Sequence, residues 1–409
     1  MISPQIPYPP TAGAKIGTFN TIKYLRLKGV DITLLALTNE QNPPIGELAS
    51  YCDVIPVYCD IRNSVSGIIR SLLSPLPYNV FKYIHKNVIK SIDELLSSKS
   101  FDLVQLERLH TTHYGRYIKN KYTIPVVMRL HNVESQIVGR YLQFIKNPLK
   151  REFLKMQWKR LKRYEDRNLA YFDKCVMVSE YDKDALIKRN PEIKACGIHP
   201  GYEPKDIQKQ TVYPPEILFV GILDWLPNID AITWFIQNVF PMIRRETPEV
   251  KLMVVGGNPP AKFKSEYSSS NVEITGFVDD IIPFYQRASV FIVPLRSGSG
   301  IRTKIQESLL MITPVVSTSV GAEGLNLENG RHIIIADKAK DFADAVIGLI
   351  KDKKKAGEMA ENGYNFALEN YDPAKTADKF IEVYNELLYN RKLTSIILDI
   401  YPAAGRSPF

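Results

Sequence analysis

Two glycines, two cations and a carboxylate follow one another between Pro294 and Glu307, and no other stretch concentrates as much usable chemistry. Gly298 and Gly300 open the backbone to close approach by a ligand. Ile301 follows, then Arg302, Lys304 and Glu307. The apolar run Ala288–Val293 ahead of them reads as a buried strand. Lys304–Met311 behind them reads as a helix. Free amides at a helix start favour an anion, and Arg302 and Lys304 add two positive charges there. Glu307 lies about one turn further in, where a carboxylate can accept hydrogen bonds from sugar hydroxyls. The set suits a nucleotide diphosphate. An ordinary strand-to-helix loop with surface charges is the competing reading, because glycine loops are common.

A second candidate is His131. The apolar stretch Ile124–Leu130 reads as a strand, and His131-Asn132-Val133-Glu134 closes it. A histidine at a strand's carboxyl end can donate a hydrogen bond or relay a proton near neutral pH. A structural histidine is the alternative. A third is Gly13, in the proline-rich loop Pro4–Gly17 that leads into a helical pattern from Thr21. A glycine loop between strand and helix sits at the carboxyl edge of a sheet, where ligands bind.

These residues need a scaffold, and the pattern of short apolar runs supplies one. Strands are expected at 31–37, 53–58, 101–106, 124–130 and 174–179, then at 217–220, 250–255, 271–275, 288–293, 315–318 and 332–335. Pro56 weakens the case for the second of them, since proline removes a ladder donor. Pro75 and Pro77 interrupt the helical region 64–97. Asp279 and Asp280 can cap a helix over 281–287. Strands alternating with helices imply parallel, doubly wound sheets. Prolines and polar residues over 195–215 mark a linker. Helices are expected near 339–350, 354–370 and 373–390. The last residues, 393–409, are expected to be poorly ordered.

A chain of 409 residues accommodates two domains, and 45% hydrophobic with 24% charged residues is ordinary for a globular protein. No apolar run reaches the ~20 residues of a membrane helix. No signal peptide is visible at Met1, so the default compartment is the cytoplasm. Cys52, Cys59, Cys175 and Cys196 form no metal-ligand spacing, and reduced thiols are expected. The net charge of +9 is uneven. Residues 1–200 hold about 30 Lys+Arg against about 18 Asp+Glu, and the remainder is slightly acidic. The excess gathers in the helical stretch 149–172, where Lys150, Arg151, Lys155, Lys159, Arg160, Lys162, Arg163 and Arg167 surround Leu154, Trp158, Leu161 and Leu169. An anionic membrane surface would suit such a helix. A core-packed helix with a solvated basic face is the alternative. No nucleic-acid motif is present, and no nucleic-acid partner is expected.

Taken in order, these motifs resemble the retaining glycosyltransferases called glycosyl group 1, or family 4, over about residues 3–390. Pro7-Tyr8-Pro9-Pro10 with Gly13 resembles that family's opening loop. Arg129–Glu134 resembles a motif of one bacterial branch, and Asp173–Ser179 with Asp182 its next segment. Phe219-Val220-Gly221, Trp225 and Pro227-Asn228 resemble the start of its second domain. Gly298–Glu307, Pro314–Thr318 and Gly321–Leu325 are the most specific match.

The resemblance implies two facing Rossmann-like, doubly wound α/β domains of the GT-B type with a cleft between them. It implies an acceptor domain over 1–200 and a nucleotide-sugar domain over 201–372. A helix over 373–390 would cross back to the first domain, followed by a tail over 391–409. Glu307 would bind the ribose, and Arg302 and Lys304 would neutralise the departing diphosphate. Gly13, Gly221, Gly298, Gly300 and Ile301 would line the donor, and Phe277 would bracket its base. His131, with Asn132, would contact the sugar near the reacting carbon. Attack would come from the face the phosphate leaves, with that phosphate taking the acceptor proton, so the gain in rate would rest on positioning and electrostatics. The implied activity is sugar transfer from a nucleotide sugar to a saccharide or lipid-linked saccharide in surface polysaccharide or glycolipid synthesis. No metal or other cofactor is implied.

Three departures from the family pattern stand out. Ser299 occupies the place of the first of two glutamates. Ile222 follows Gly221 where an arginine is common, and Leu226-Pro227-Asn228 fills the place of a later lysine. The opening strand is nearly missing, although the usual order makes it central, so the true start is expected upstream unless the sheet tolerates a gap. Other readings of the chain are a nucleotide-sugar 2-epimerase, which needs convergent carboxylates, and a non-catalytic membrane scaffold.

Overall fold

The computed structural model describes residues 1–11, 13–145, 147–205, 207–210, 212–298 and 300–400, with the side chains of Val65 and 392–400 left aside. The chain forms two compact units. Unit 1 comprises Met1–Ser135, Asn147–Gly201 and the segment from Pro373 onward. Unit 2 comprises Gln136–Lys146 and Tyr202–Asp372.

Unit 1 is built on seven parallel strands. They are β1 (Ile2–Ser3), β2 (Thr33–Thr38), β3 (Asp53–Tyr58), β4 (Val104–Glu107), β5 (Val126–Leu130), β6 (Lys174–Met177) and β7 (Ala195–Gly197), in the order β3-β2-β1-β4-β5-β6-β7. Winding reverses between β1 and β4, the switch point of a doubly wound sheet. β1 is only two residues long, yet it bridges the sheet: Ile2 pairs with Leu35 on one side and Leu106 on the other. The sheet is therefore continuous at its centre. The Met1 amino group donates to the Thr33 carbonyl at 2.7 Å, and burial lowers its pKa to about 6. Beside Met1 lies a small cavity with Leu35, Leu96, Leu103, Val104 and Ile118 in its lining. Pro56 sits on the edge strand β3, where a missing donor costs no ladder bond.

The linker expected over 195–215 begins instead with the edge strand β7, which pairs with β6 from Ala195 to Gly197. A three-residue strand without an apolar run carries no period to read. Further along that stretch Lys209 is tied down. Lys209 Nζ donates to the carbonyls of Tyr285 and Ala288 at 2.6 and 3.0 Å and to Thr313 Oγ1 at 3.0 Å.

The helix Pro373–Ile400 returns to unit 1, where Ala377, Phe380, Val383 and Tyr384 join Leu34, Val127 and Val176 in the core. It runs past residue 390 because no proline or glycine interrupts it before Pro402. Residues 401–409 lie outside the described residues. The basic stretch is the helix Pro148–Asn168, opened by Asn147, whose side chain accepts from the Lys150 amide at 3.0 Å, with Pro148 in its first turn. Its buried residues, Leu161, Tyr164, Glu165 and Asn168, lie in its second half. Its exposed cations run along both halves: Lys150, Arg151 and Lys155 in the first, Lys159, Lys162, Arg163 and Arg167 in the second. All four cysteines are free thiols, three of them buried.

Unit 2 has six parallel strands. They are β8 (Glu216–Val220), β9 (Lys251–Val255), β10 (Val272–Gly276), β11 (Ala288–Val293), β12 (Val315–Ser317) and β13 (Ile334–Ile335), in the order β10-β9-β8-β11-β12-β13. Here the switch point falls between β8 and β11. Phe235, with its ring centroid 5.8 Å from that of Phe342, anchors the core on one face of this sheet. The helix Ile282–Arg287 starts with the Ile282 amide donating to Asp280 Oδ1 at 2.9 Å. Among the described residues no helix is long and apolar enough to cross a membrane.

Candidate active site

In unit 2 the turn after β11 and the loop after β8 meet at the switch point. Gly298 and Gly300 have φ values of +141° and +77°, which side chains rarely adopt. A Cβ on Gly298 would lie 2.6 Å from the Arg302 guanidinium, which packs under the turn and donates to the Gly300 carbonyl. Arg302 therefore shapes the glycine turn as well as placing charge beside it. Ile301 is half-buried between them. Ser299 lies outside the described residues.

Arg302 caps the helix Thr303–Leu310, which puts Lys304 in its first turn and Glu307 one turn on. Lys304 Nζ donates to Asn228 Oδ1 at 3.0 Å and stands 4.8 Å from the centre of the Phe219 ring. Asn228 thus orients Lys304. Its amide donates to the Ile222 carbonyl at 2.9 Å, so one side chain links the β8 loop to the cation. Gly221 makes room for this arrangement, since a Cβ there would come within 2.8 Å of Lys304 Nζ and 2.9 Å of Asn228 Nδ2. Burial lowers the Lys304 pKa to about 7, and Arg302 adds to the effect. Burial raises Glu307 to about 7 against the pull of Lys205 and Lys304. Both groups titrate near neutrality, where a bound anion or hydroxyl would shift them. Phe277 follows Gly276 at the end of β10 and is 67% exposed, free to stack on a planar group.

Two polar groups nearby were not legible beforehand. The Tyr285 hydroxyl and Ser297 Oγ are buried and have no hydrogen-bond partner among the described residues. Tyr285 feels the charge of Glu307. A third is Arg140, from the segment Gln136–Lys146. It donates to Glu323 through both terminal nitrogens at 2.6 and 2.8 Å, and to the Gly298 carbonyl at 2.6 Å. Glu323 sits directly after the short helix Ser319–Ala322, which Thr318 caps by accepting from the Gly321 amide at 3.0 Å. The motif Gly321–Leu325 therefore serves the glycine turn through Arg140.

In unit 1, Gly13 starts the helix Gly13–Leu27. His131 follows β5 at the carboxyl edge and is almost buried. Its Nε2 lies 2.8 Å from Glu107 Oε2. Glu107, the last residue of β4, also accepts from Gln105 Nε2 at 2.7 Å and from Thr18 Oγ1 at 3.2 Å, and pairs with Arg129 at 3.5 Å. Burial alone would raise its pKa, but Arg129 and His131 outweigh it and hold the carboxylate at about 2. Burial likewise lowers His131 to about 4, with Glu107 opposing, so the imidazole is neutral at physiological pH. Asn132 hydrogen-bonds Glu134, whose pKa burial and Glu165 raise to about 7. Glu107 ends a strand as an isolated charge, so little in the sequence marks it. The alternation of Gln105 and Glu107 with apolar neighbours in a buried strand was the available signal. Among the described residues no three His, Cys, Asp or Glu side chains gather to hold a metal ion.

Two doubly wound parallel sheets of this kind define an α/β protein of two Rossmann-like units. Residues 11–206 match the family model described as Glycosyltransferase Family 4, and residues 214–352 match that of Glycosyl transferases group 1. The chain belongs to this family and is a glycosyltransferase. A relative described as an uncharacterized 44.6 kDa protein in the cps region of Klebsiella pneumoniae is 24% identical over 400 residues, 94% of this chain and 98% of its own. The solved sucrose-phosphate synthase (tll1590) from Thermosynechococcus elongatus matches with a TM-score of 0.71 at 14% identity, over 95% of this chain and 99% of its own. Anabaena Alr3699/HepE, solved in complex with UDP-glucose, matches with a TM-score of 0.66 at 14% identity, over 94% and 98%. These likenesses establish the GT-B type of fold.

Proposed function

We propose that this enzyme transfers a sugar, with retention of configuration, from a nucleotide-diphosphate sugar to a saccharide or lipid-linked saccharide. Its setting is surface polysaccharide or glycolipid assembly on the cytoplasmic side of an anionic membrane. The observation that carries the reading is the helix start in unit 2, where Arg302, Lys304 and Glu307 follow the glycine turn at the sheet's switch point. The cps-region relative and the neighbour solved with UDP-glucose support the same direction.

In this reading the bond between the anomeric carbon and the donor phosphate breaks as the acceptor oxygen attacks the same face. The departing phosphate takes the acceptor's proton. Lys304, held by Asn228, and Arg302, held under the turn, stabilise the charge that grows on the diphosphate. Glu307 accepts from the ribose hydroxyls, and Phe277 packs on the base. Unit 1 takes the acceptor, and His131, neutral and held by Glu107, contacts the sugar near the reacting carbon. The nucleotide sugar is the one co-substrate the scheme calls for.

The test begins with thermal shift against UDP, GDP and ADP, since a ligand specific to the folded state raises Tm. Donor hydrolysis and the anomeric configuration of the product are then followed by NMR. Glu307→Ala and Arg302→Ala are expected to keep the fold and lose most transfer. Full turnover in both variants, or an inverted product, would overturn the proposal.

A further inference from the structure

β1 and β4 are neighbours at the switch point of unit 1, and the segments that follow them carry Lys15 and Arg108. Arg108 has φ +66° and ψ 156°, a backbone conformation that belongs almost wholly to glycine. The main chain is pinned there. The Arg108 amide donates to the Arg129 carbonyl at 2.7 Å, and the Arg108 carbonyl accepts from Thr111 N and Oγ1 at 3.1 and 3.0 Å. A strained non-glycine residue kept at a sheet's carboxyl edge calls for a use of its side chain.

That side chain has no hydrogen bond or ion pair among the described residues, and neither has the ammonium of Lys15. Lys15 stands in the first turn of the helix Gly13–Leu27. Burial depresses Lys15, and the charge of Arg108 depresses it further despite Glu40. The carboxyl group that acts most on Arg108 is Glu134, which is itself shifted toward its neutral form. Glu107 is committed to Arg129 and His131. Two cations thus share one edge without a full counter-charge.

We infer that Arg108 and Lys15 bind an oxyanion carried by the acceptor saccharide, either a phosphoryl group or a carboxylate. The guanidinium presents a planar fork to two oxygens and the ammonium a third contact. The donor diphosphate has its own cations in unit 2, so these two are available to the acceptor. The inference rests on the reading that unit 1 takes the acceptor.

The experiment uses the full chain saturated with UDP, so that Arg302 and Lys304 are already engaged. Calorimetry compares glucose 1-phosphate, glucuronate and methyl glucoside. One charged sugar is expected to bind at least about tenfold more tightly than the neutral one, and the better of the two identifies the oxyanion. Arg108→Gly and Lys15→Met are each expected to abolish the preference. Arg108→Gly also removes the backbone strain, so its Tm should equal or exceed that of the wild type, which separates lost binding from lost folding. Equal binding of charged and neutral sugars, or an undiminished preference in both variants, would overturn the inference. If UDP itself fails to bind the wild type, the donor reading falls, and the same three sugars measured without UDP still decide this site.

Discussion

His131 Nε2 and Glu107 Oε2 lie 2.8 Å apart at the carboxyl ends of two adjacent strands, with Arg129 on the other oxygen of the same carboxylate. The histidine is thereby oriented by a group that stays ionised in acid. Replacing Glu107 by Gln would leave Arg129, 1% exposed, without a counter-charge. A loss of about 3–5 kcal/mol in urea unfolding is expected, the usual cost of breaking a buried pair.

The same pair sets the response to pH. Glu107 has a folded pKa of about 2 against an ordinary 4.5, and His131 about 4 against an ordinary 6.5. Both folded values are depressed, so from pH 6.5 down to 2 the unfolded chain binds protons that the folded chain refuses. Stability from these two groups is therefore full above pH 6.5 and is lost as the pH falls. Tm should drop between pH 6.5 and 4.5, and the drop should shrink by at least about 2 °C in His131→Gln, which keeps a hydrogen-bonding amide and does not titrate. An unchanged drop would contradict the assignment.

Gly221 tests the proposed donor pocket without replacing a charged residue. Its φ is not positive, so alanine is permitted by the backbone, but the added methyl would press on Lys304 Nζ and Asn228 Nδ2. Gly221→Ala should weaken nucleotide binding by about tenfold or more, roughly 1.4 kcal/mol, with Tm nearly unchanged. Calorimetric titration with UDP measures both sides of the comparison.

Arg140 tests the glycine turn. Arg140→Ala removes the contacts to Glu323 and the Gly298 carbonyl together. A fall in kcat/KM of about ten- to a hundredfold is expected, about 1.4–2.8 kcal/mol. Arg140→Lys should recover only part, because one ammonium cannot match a forked contact.

The basic helix Pro148–Asn168 tests the membrane proposal. Arg160 donates to the carbonyls of Ser71, Leu72 and Ser74, which brings the end of the helix Val65–Leu72 beside it. Leu73 and Leu149 are 89% and 83% exposed, and Leu149 is next in sequence to the exposed Lys150. Sedimentation with phosphatidylglycerol vesicles should pull the protein down at low salt and release it as salt rises. Lys155→Glu with Lys159→Glu should abolish the pelleting, and equal pelleting of that variant would end the idea.

How far the sequence could be read depends on whether a feature has a period. Runs such as Ala288–Val293 and Val250–Val255 are apolar throughout because both faces of a parallel sheet are covered, and their positions were plain. Glycine turns and the charges beside them were equally visible, since Gly298, Gly300, Arg302, Lys304 and Glu307 adjoin in the chain. Groups that meet only through folding were not. Glu107 and His131 are joined by strand pairing, Arg140 reaches Gly298 across a long stretch of sequence, and the φ of Arg108 leaves no mark on composition. β7 is too short for alternation to register, and Lys209 reads as a solvent lysine until its carbonyl partners are seen.

Neither unit is an unbroken length of chain, because Gln136–Lys146 counts with unit 2 and the helix from Pro373 with unit 1. A truncation at Gly201 would strip Phe380 and Tyr384 from the first core and leave its apolar partners wet. Cutting the polypeptide there would therefore yield two dependent halves that must exchange segments to become whole, which makes the loop after Gly201 a natural breakpoint for a split reporter of assembly.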